Sequence, residues 1–455
     1  MKIFQEKNIM EKTASFKIAP FFVDVTPPIG FALSYGINQK VHSPIYIRGL
    51  AIDDGRTKVA LIACDFLFVA GSAVSKWKKT IADAIGTAPE NVFVHSIHQH
   101  DSICAYPELN SLVKKHFRQE IFPDSYFKKI TADLNAAVKK SVKSWKKVKN
   151  IAVSEKRMSG LASNRRLLGR DGKVMAMRWS GSTEKLQKYP IGLIDPFLRT
   201  VAFLGDNDKV LTALHYYTSH PQSIVRKMVT SDVPGAALEY VRKNSDPSAH
   251  HIYFTGCGAN ITFGKYNLAD QTKNPPDERI KKLGEKLGKG IVSNLKRLEK
   301  KPLAAIAVKH SSFEMPLASA VSKPDFKTLD ASIAKKIKGM PEENRNPMTV
   351  IWPYGFYMAL RKNWKELSSP VLSLLSIGDE INIMSLPSET VVEYQLYAQS
   401  LIPEKFLACA AYGQAAYIYI PTAVMYREKG YEPNASVTTK AVEKKYKAAI
   451  KKLLQ

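Results

Sequence analysis

"KVALIACDFLFVAGSAVSKWKKTIADAIGTAPENVFVHSIHQHDS", residues 58 to 102, carries the reading of the fold. Its opening, "KVALIACDFLFVA" (58–70), is a short apolar run of the kind that forms a strand buried on both faces. "SAVSKWKKTIADAIG" (72–86) then sets apolar residues at helical spacing and closes on glycine. "NVFVHSI" (91–97) is a second apolar run of strand length. Strand, helix and strand in that order predict a βαβ unit. The stretch also gathers His95, His98 and His100, three of the ten histidines of the chain, within six positions.

Working outward, the same alternation covers most of the 455 residues. Further strands are expected at "RTVAFLG" (199–205), "KVLTALHYYT" (209–218), "HHIYFTG" (250–256), "AAIAVKHSSFEM" (304–315) and "EINIMSLP" (380–387). One helix carries Ile130, Leu134, Val138 and Val142 on a single stripe, and another carries Ile280, Leu283, Leu287, Ile291, Leu295 and Leu298. The expected class is α/β, a mixed central β-sheet flanked by helices. No internal repeat and no clean linker are visible. The reading is a single domain over 19–455, preceded by an extension over 1–18. Residues 319–370, with "GMPEENRNPMTVIWPYG", are expected to form a lid or insertion.

Composition bounds the function. Hydrophobic residues at 45% and charged residues at 24% are ordinary globular values. No apolar run approaches the ~18 residues of a membrane span. The net charge of +26 comes largely from lysines in segments such as "KKSVKSWKKVKN" (139–150) and "KAVEKKYKAAIKKLL" (440–454). Their spacing places most of them on solvated helix faces, and an anionic substrate is the functional counterpart of such a charge. No nucleic-acid motif accompanies it, so no nucleic-acid partner is expected. "MKIFQEKNIMEKTASFKIAP" (1–20) lacks the apolar core of a secretory signal. Two compartments stay open: the cytoplasm, or an exported protein whose signal has been removed. Cys64, Cys104, Cys257 and Cys409 lie far apart and suggest neither a zinc ribbon nor a disulfide scaffold.

The histidines separate by parity. His95 faces the opposite side of an extended chain from the other two and reads as a hydrogen-bonded structural residue. His98 and His100 share a side at a strand end, a frequent half of a zinc site. Other strand ends supply partners: His220 in "ALHYYTSHPQS" (213–223) and Glu389 in "IMSLPSET" (383–390). Strand ends that converge on one sheet edge are where α/β proteins build sites. His98, His220 and Glu389 form a candidate set of two histidines and one carboxylate, with room for water as another ligand at a metal.

The chain resembles the zinc-dependent catalytic domain of the neutral/alkaline, non-lysosomal ceramidase superfamily, in blocks that keep the family order. These are "VDVTPPIG" (23–30), "IRGLAIDDG" (47–55), "ALIACDFLF" (60–68), "VHSIHQHDS" (94–102), "ASNRRLLG" (162–169) and "GLIDPFLRTVAFLGDNDK" (192–209). "YYTSHPQS" (216–223), "SDVPGAALEYV" (231–241), "LPSET" (386–390) and "YIPTAVMYREKGYE" (419–432) follow. The resemblance implies a zinc ion held by His98, His220, Glu389 and Tyr419. It implies His100 as a proton carrier, and Arg165 and Tyr431 as the groups that hold the polarised carbonyl. The twelve-residue gap from Tyr419 to Tyr431 matches the family's.

Departures from the family pattern are equally specific. The segment that holds a proposed serine nucleophile and an aspartate in true ceramidases reads "TGCGANITF" (255–263), with Gly256 and Asn260 at those positions. Cys257, one place away, reads as a small buried residue. "HQHDS" stands where the family has HTHSGP, and the domain is expected to lack the family's immunoglobulin-like C-terminal domain. The expectation is a ceramidase-like relative, a zinc hydrolase using metal-activated water. The expected target is an N-acyl amide in a small-molecule, lipid or saccharide substrate, with an anionic one suited to the charge. The alternatives are an ester or glycan linkage, and a non-catalytic zinc-stabilised binder of acidic polymers.

Overall fold

The strand–helix–strand unit is present and sits in a larger arrangement. The computed structural model describes residues 15–117, 120–223, 225, 227–268, 275–319, 325–341, 368–414 and 418–455. Lys58–Cys64 and Val92–Ser96 pair in parallel, and the helix Ser72–Ile85 connects them. That helix buries Ala73, Val74, Trp77, Ile81, Ala82 and Ile85 along one side. It ends at Gly86, whose φ of 72° lets its N–H return to the carbonyl of Ala82, a left-handed cap that a Cβ would penalise.

One topology occurs three times. In the first unit Lys17–Asp24, Tyr46–Asp53 and Lys58–Cys64 run antiparallel in turn, and Val92–Ser96 joins in parallel across the helix. The second unit repeats this with Asn150–Arg157, Phe197–Leu204 and Val210–Tyr217, the helix Asp232–Asn244, and His250–Thr255. The third uses Ile306–Ser312, Val371–Ile377 and Ile381–Ser385, the helix Val392–Leu401, and Phe406–Ala410. Each unit closes with a helix packed on its crossover helix: Asp124–Val142, Pro276–Leu295 and Val442–Leu454. The mixed sheet expected from the sequence is thus distributed over three mixed sheets, and the fold does contain a repeat. What recurs is the order and pairing of elements, so residue identities carry no trace of it.

The inner faces of the three sheets share one core, to which Leu61 and Phe93, Leu214 and Ile252, and Ile383 and Ala408 contribute. Just past their ends the three last strands are tied in a ring. The Ser96 N–H bonds to the Tyr412 carbonyl (3.0 Å), and the Ala411 N–H to the Thr255 carbonyl (2.9 Å). The Thr255 hydroxyl donates to the Ile97 carbonyl (2.8 Å). This junction brings together side chains that are far apart in the chain.

The N-terminal strand begins at Lys17, within the stretch read as an extension, and Phe16 is already buried. Residues 1–14 lie outside the described residues. Of the expected lid over 319–370, residues 320–324 and 342–367 also lie outside them. The described part holds the helix Phe326–Lys338, whose Ile333 enters the core. No helix among the described residues is long and apolar enough to cross a membrane. All four cysteines are buried.

Candidate metal centre

Three imidazoles meet beside the strand junction. The ligand-capable atoms of His98, His100 and His220 all lie within 4.8 Å of one another, and all three residues are buried. Their Nδ1 atoms point away, each to a backbone carbonyl. His98 Nδ1 reaches Leu67 (2.7 Å), His100 Nδ1 reaches His98 (3.2 Å), and His220 Nδ1 reaches Gly258 (3.3 Å). A carbonyl only accepts, so each Nδ1 carries a proton, and in the neutral His100 and His220 rings Nε2 presents a lone pair.

The Nε2 atoms converge. Nε2 of His100 and Nε2 of His220 are 3.3 Å apart. Nε2 of His98 is 3.3 Å from Glu389 Oε2, which has no hydrogen-bond partner. Two ligands about 2.1 Å from a tetrahedral zinc ion lie roughly 3.3 Å apart. The donor set therefore fits a cation. Burial, followed by the neighbouring His98, holds the His100 and His220 imidazoles well below their usual pKa, so both are neutral.

Glu389 and Tyr419 are brought side by side by a short parallel ladder that pairs Glu389 with Tyr419 and Thr390 with Ile420. Burial and the Glu389 carboxylate push the Tyr419 phenol up. Arg165 lies beyond it, fully buried, with its Nε donating to Glu432 (2.7 Å). Its guanidinium is surrounded by the rings of Trp179 (5.3 Å), Tyr419 (5.5 Å) and Tyr431 (5.1 Å). Nη2 of Arg165 has no hydrogen-bond partner. Trp179 and Tyr431 are exposed, which places the open side of the centre there. All seven residues singled out in the sequence thus lie in one neighbourhood. His95 is apart from it, buried and hydrogen-bonded to the Ala411 carbonyl (2.9 Å) and the Ser385 hydroxyl (2.9 Å).

Several contributors have no role assigned from the sequence, although Glu432 closes the block 419–432. Tyr412 stacks on His98 with ring centroids 4.2 Å apart, and its hydroxyl lies 3.4 Å from His220 Nδ1. Tyr35 stacks on His100 at 5.8 Å. Glu432 is buried and binds both Arg165 and Arg166. His98, Ser388 and Tyr412 have φ of 75°, 67° and 60°, a left-handed conformation costing about 1–3 kcal/mol per residue. Only a backbone trace exposes such strain, and here it aims His98 and Glu389 inward.

The departures also find their places. A Cβ on Gly256 would stand 2.3 Å from the Thr218 hydroxyl and 2.8 Å from Gln395 Oε1, so the position accepts no side chain without rearrangement. Asn260 donates to Glu393 (3.0 Å) and accepts from the Val392 N–H (2.9 Å), joining the second unit to the third. Cys257 is buried, and burial holds its thiol protonated.

The sequence matches no known family profile and no curated protein. The fold does have solved counterparts. Over 97% of its length the chain is similar to a crystal structure of neutral ceramidase from Pseudomonas aeruginosa, with a TM-score of 0.68 and 12% identity, covering 74% of that chain. A ceramidase complexed with C2 gives a TM-score of 0.66 at 12% identity, covering 97% of this chain and 75% of that one. At this identity the likeness is one of architecture. The chain has a ceramidase-like α/β fold whose buried histidine cluster is able to hold a metal ion.

Proposed function

We propose that the protein is a zinc-dependent hydrolase of N-acyl amides, with His98, His220, Glu389 and Tyr419 as the metal-holding set. The observation that carries this reading is the buried cluster of His98, His220 and His100, with Glu389 Oε2 3.3 Å from His98 Nε2 and Tyr419 beside Glu389 in register. A zinc ion in that set supplies a Lewis acid for a carbonyl oxygen and lowers the pKa of bound water to about 7. The rest of the chemistry belongs to the chain. The neutral His100 takes a proton at Nε2 from the attacking water and returns it to the departing amine. Arg165 offers the unpaired Nη2 to the oxygen on which charge develops, and Tyr431 closes the same side with its hydroxyl. Gly256 leaves no side chain for a serine-nucleophile route, which favours water as the nucleophile.

The substrate is a small molecule, a lipid or a saccharide derivative, and the net charge of +26 suits an anionic one. Elemental analysis of the purified chain tests the reading. About one zinc per chain, lost in His98→Ala with His220→Ala, is expected, together with turnover on a panel of N-acyl amides. A folded, metal-free wild type overturns it. Bound zinc without turnover on amides or esters favours a binding protein, and ester or glycan turnover alone reassigns the bond.

A further inference from the structure

Arg178 follows the hairpin Arg166–Leu168/Val174–Met177 and precedes Trp179. It is fully buried and has no carboxylate partner among the described residues. A guanidinium taken out of water is costly unless its donors are met. Here they go to main-chain carbonyls: Nη1 to Tyr189 (3.1 Å), and Nη2 to Pro190 (2.6 Å) and Asn164 (2.8 Å). The Arg178 N–H adds a bond to the Arg165 carbonyl (2.8 Å). One residue thus grips, by main chain and side chain, both residues of the Asn164–Arg165 dipeptide.

The grip also fixes the loop that lies against that dipeptide. The Asn164 N–H donates to the Ile191 carbonyl (2.7 Å), and its side chain donates to the Leu193 carbonyl (3.0 Å). The approach is close, because a Cβ on Gly192 would stand 2.8 Å from the Asn164 Cβ. Lys265 places its Nζ on the carbonyls of Gln187 and Tyr189. Two cations therefore hold the loop over 187–191 by its carbonyl dipoles. Arginine suits the inner position, since its planar fork presents donors in several fixed directions, whereas a lysine ammonium acts as a point charge.

Arg165 is fixed at its far end by Glu432 and by the rings of Trp179, Tyr419 and Tyr431. Its near end is fixed by the Asn260 carbonyl, which accepts from the Arg165 N–H (2.9 Å), and by Arg178. We propose that Arg178 is a positioning residue, setting the main chain from which Arg165 reaches the oxygen on which charge develops. The proposal rests on the reading of Arg165 given above, and Arg178 itself touches no reacting group. A displacement of about 1 Å in a group of that kind costs on the order of 10² in rate.

The test is a double-mutant cycle on the zinc-loaded full chain with two readouts. One is turnover of an N-acyl amide; the other is calorimetric binding of octanoate, a carboxylate of the kind that amide cleavage releases. Arg178→Lys is expected to stay folded and keep its zinc, to lower kcat about 10²-fold at nearly constant KM, and to weaken octanoate about tenfold. Added to Arg165→Gln, it is expected to lower neither any further. A merely structural role gives the same loss in both backgrounds, and that result overturns the proposal. Wild-type behaviour of Arg178→Lys overturns it too. If the Arg178→Lys chain does not fold, Lys265→Met removes the other cation from the same loop. It is expected to move both readouts the same way, by less, and only while Arg165 is present; no effect on either overturns the proposal. Coupled octanoate binding by a chain that hydrolyses no amide keeps the positioning role and removes the catalytic reading. A chain with neither turnover nor octanoate binding through Arg165 removes both.

Discussion

Glu389 and Tyr419 are register partners in a two-residue parallel ladder, although the helix Val392–Leu401 and the strand Phe406–Ala410 separate them in the chain. The ladder sets a carboxylate beside a phenol, and the carboxylate also lies 3.3 Å from His98. Tyr419→Phe keeps the ring and removes the oxygen. Zinc affinity, measured by chelator competition, is expected to fall about 10- to 100-fold in this variant, with secondary structure unchanged.

His100 separates two arrangements of the same cluster, since its Nε2 lies as close to His220 as a co-ligand would. If it carries protons, His100→Ala retains about one zinc per chain and loses on the order of 10²–10⁴ in amide turnover. If it is a ligand, the same variant loses the metal as His98→Ala does. Elemental analysis of the two variants side by side reads the difference.

Gly256 stands where the resemblance to the ceramidase pattern leads one to expect serine. Gly256→Ser is expected to destabilise the fold by about 1–3 kcal/mol, because its Cβ enters the space of Thr218 and Gln395. Thermal unfolding gives the stability change, and an N-acyl amide assay is expected to show no gain in activity.

Glu432 is the buried counter-charge of Arg165 and Arg166. Glu432→Gln leaves two buried guanidiniums without their carboxylate, at an expected cost of about 3–5 kcal/mol. Denaturant unfolding measures it. Glu428→Gln, which removes only the partly exposed partner of Arg166, is expected to cost less.

His95 makes stability depend on pH. Burial lowers its pKa from the usual 6.5 to about 4. The unfolded chain therefore takes up this proton below pH 6.5, while the folded chain resists until about pH 4. The stabilisation, about 3 kcal/mol, is complete above pH 6.5 and is lost as pH falls to about 4. His95→Gln is expected to flatten that acid limb in denaturant titrations across the interval, at a lower stability near neutrality.

The sequence by itself pointed to the α/β class, to strands such as Lys58–Cys64, Val92–Ser96, Val210–Tyr217 and Ile381–Ser385, and to the histidine cluster, but not to the strands Lys17–Asp24, Asn150–Arg157, Val371–Ile377 and Phe406–Ala410. Burial alternation and helical periodicity are local, and so are strand-end histidines such as His98 and His220. Only the tertiary structure decided that three units share one topology, since pairing order leaves residue identity free. It also decided the parts played by Tyr412, Tyr35 and Glu432, whose contacts cross between units. The left-handed backbone at His98, Ser388 and Tyr412 belongs to the same class, because surrounding packing holds it in place and no local propensity announces it. The meeting of the imidazoles with Glu389 sits beside the ring of hydrogen bonds that runs through Ser96 and Ile97, Thr255, and Ala411 and Tyr412, which forms only when all three units are folded against one another.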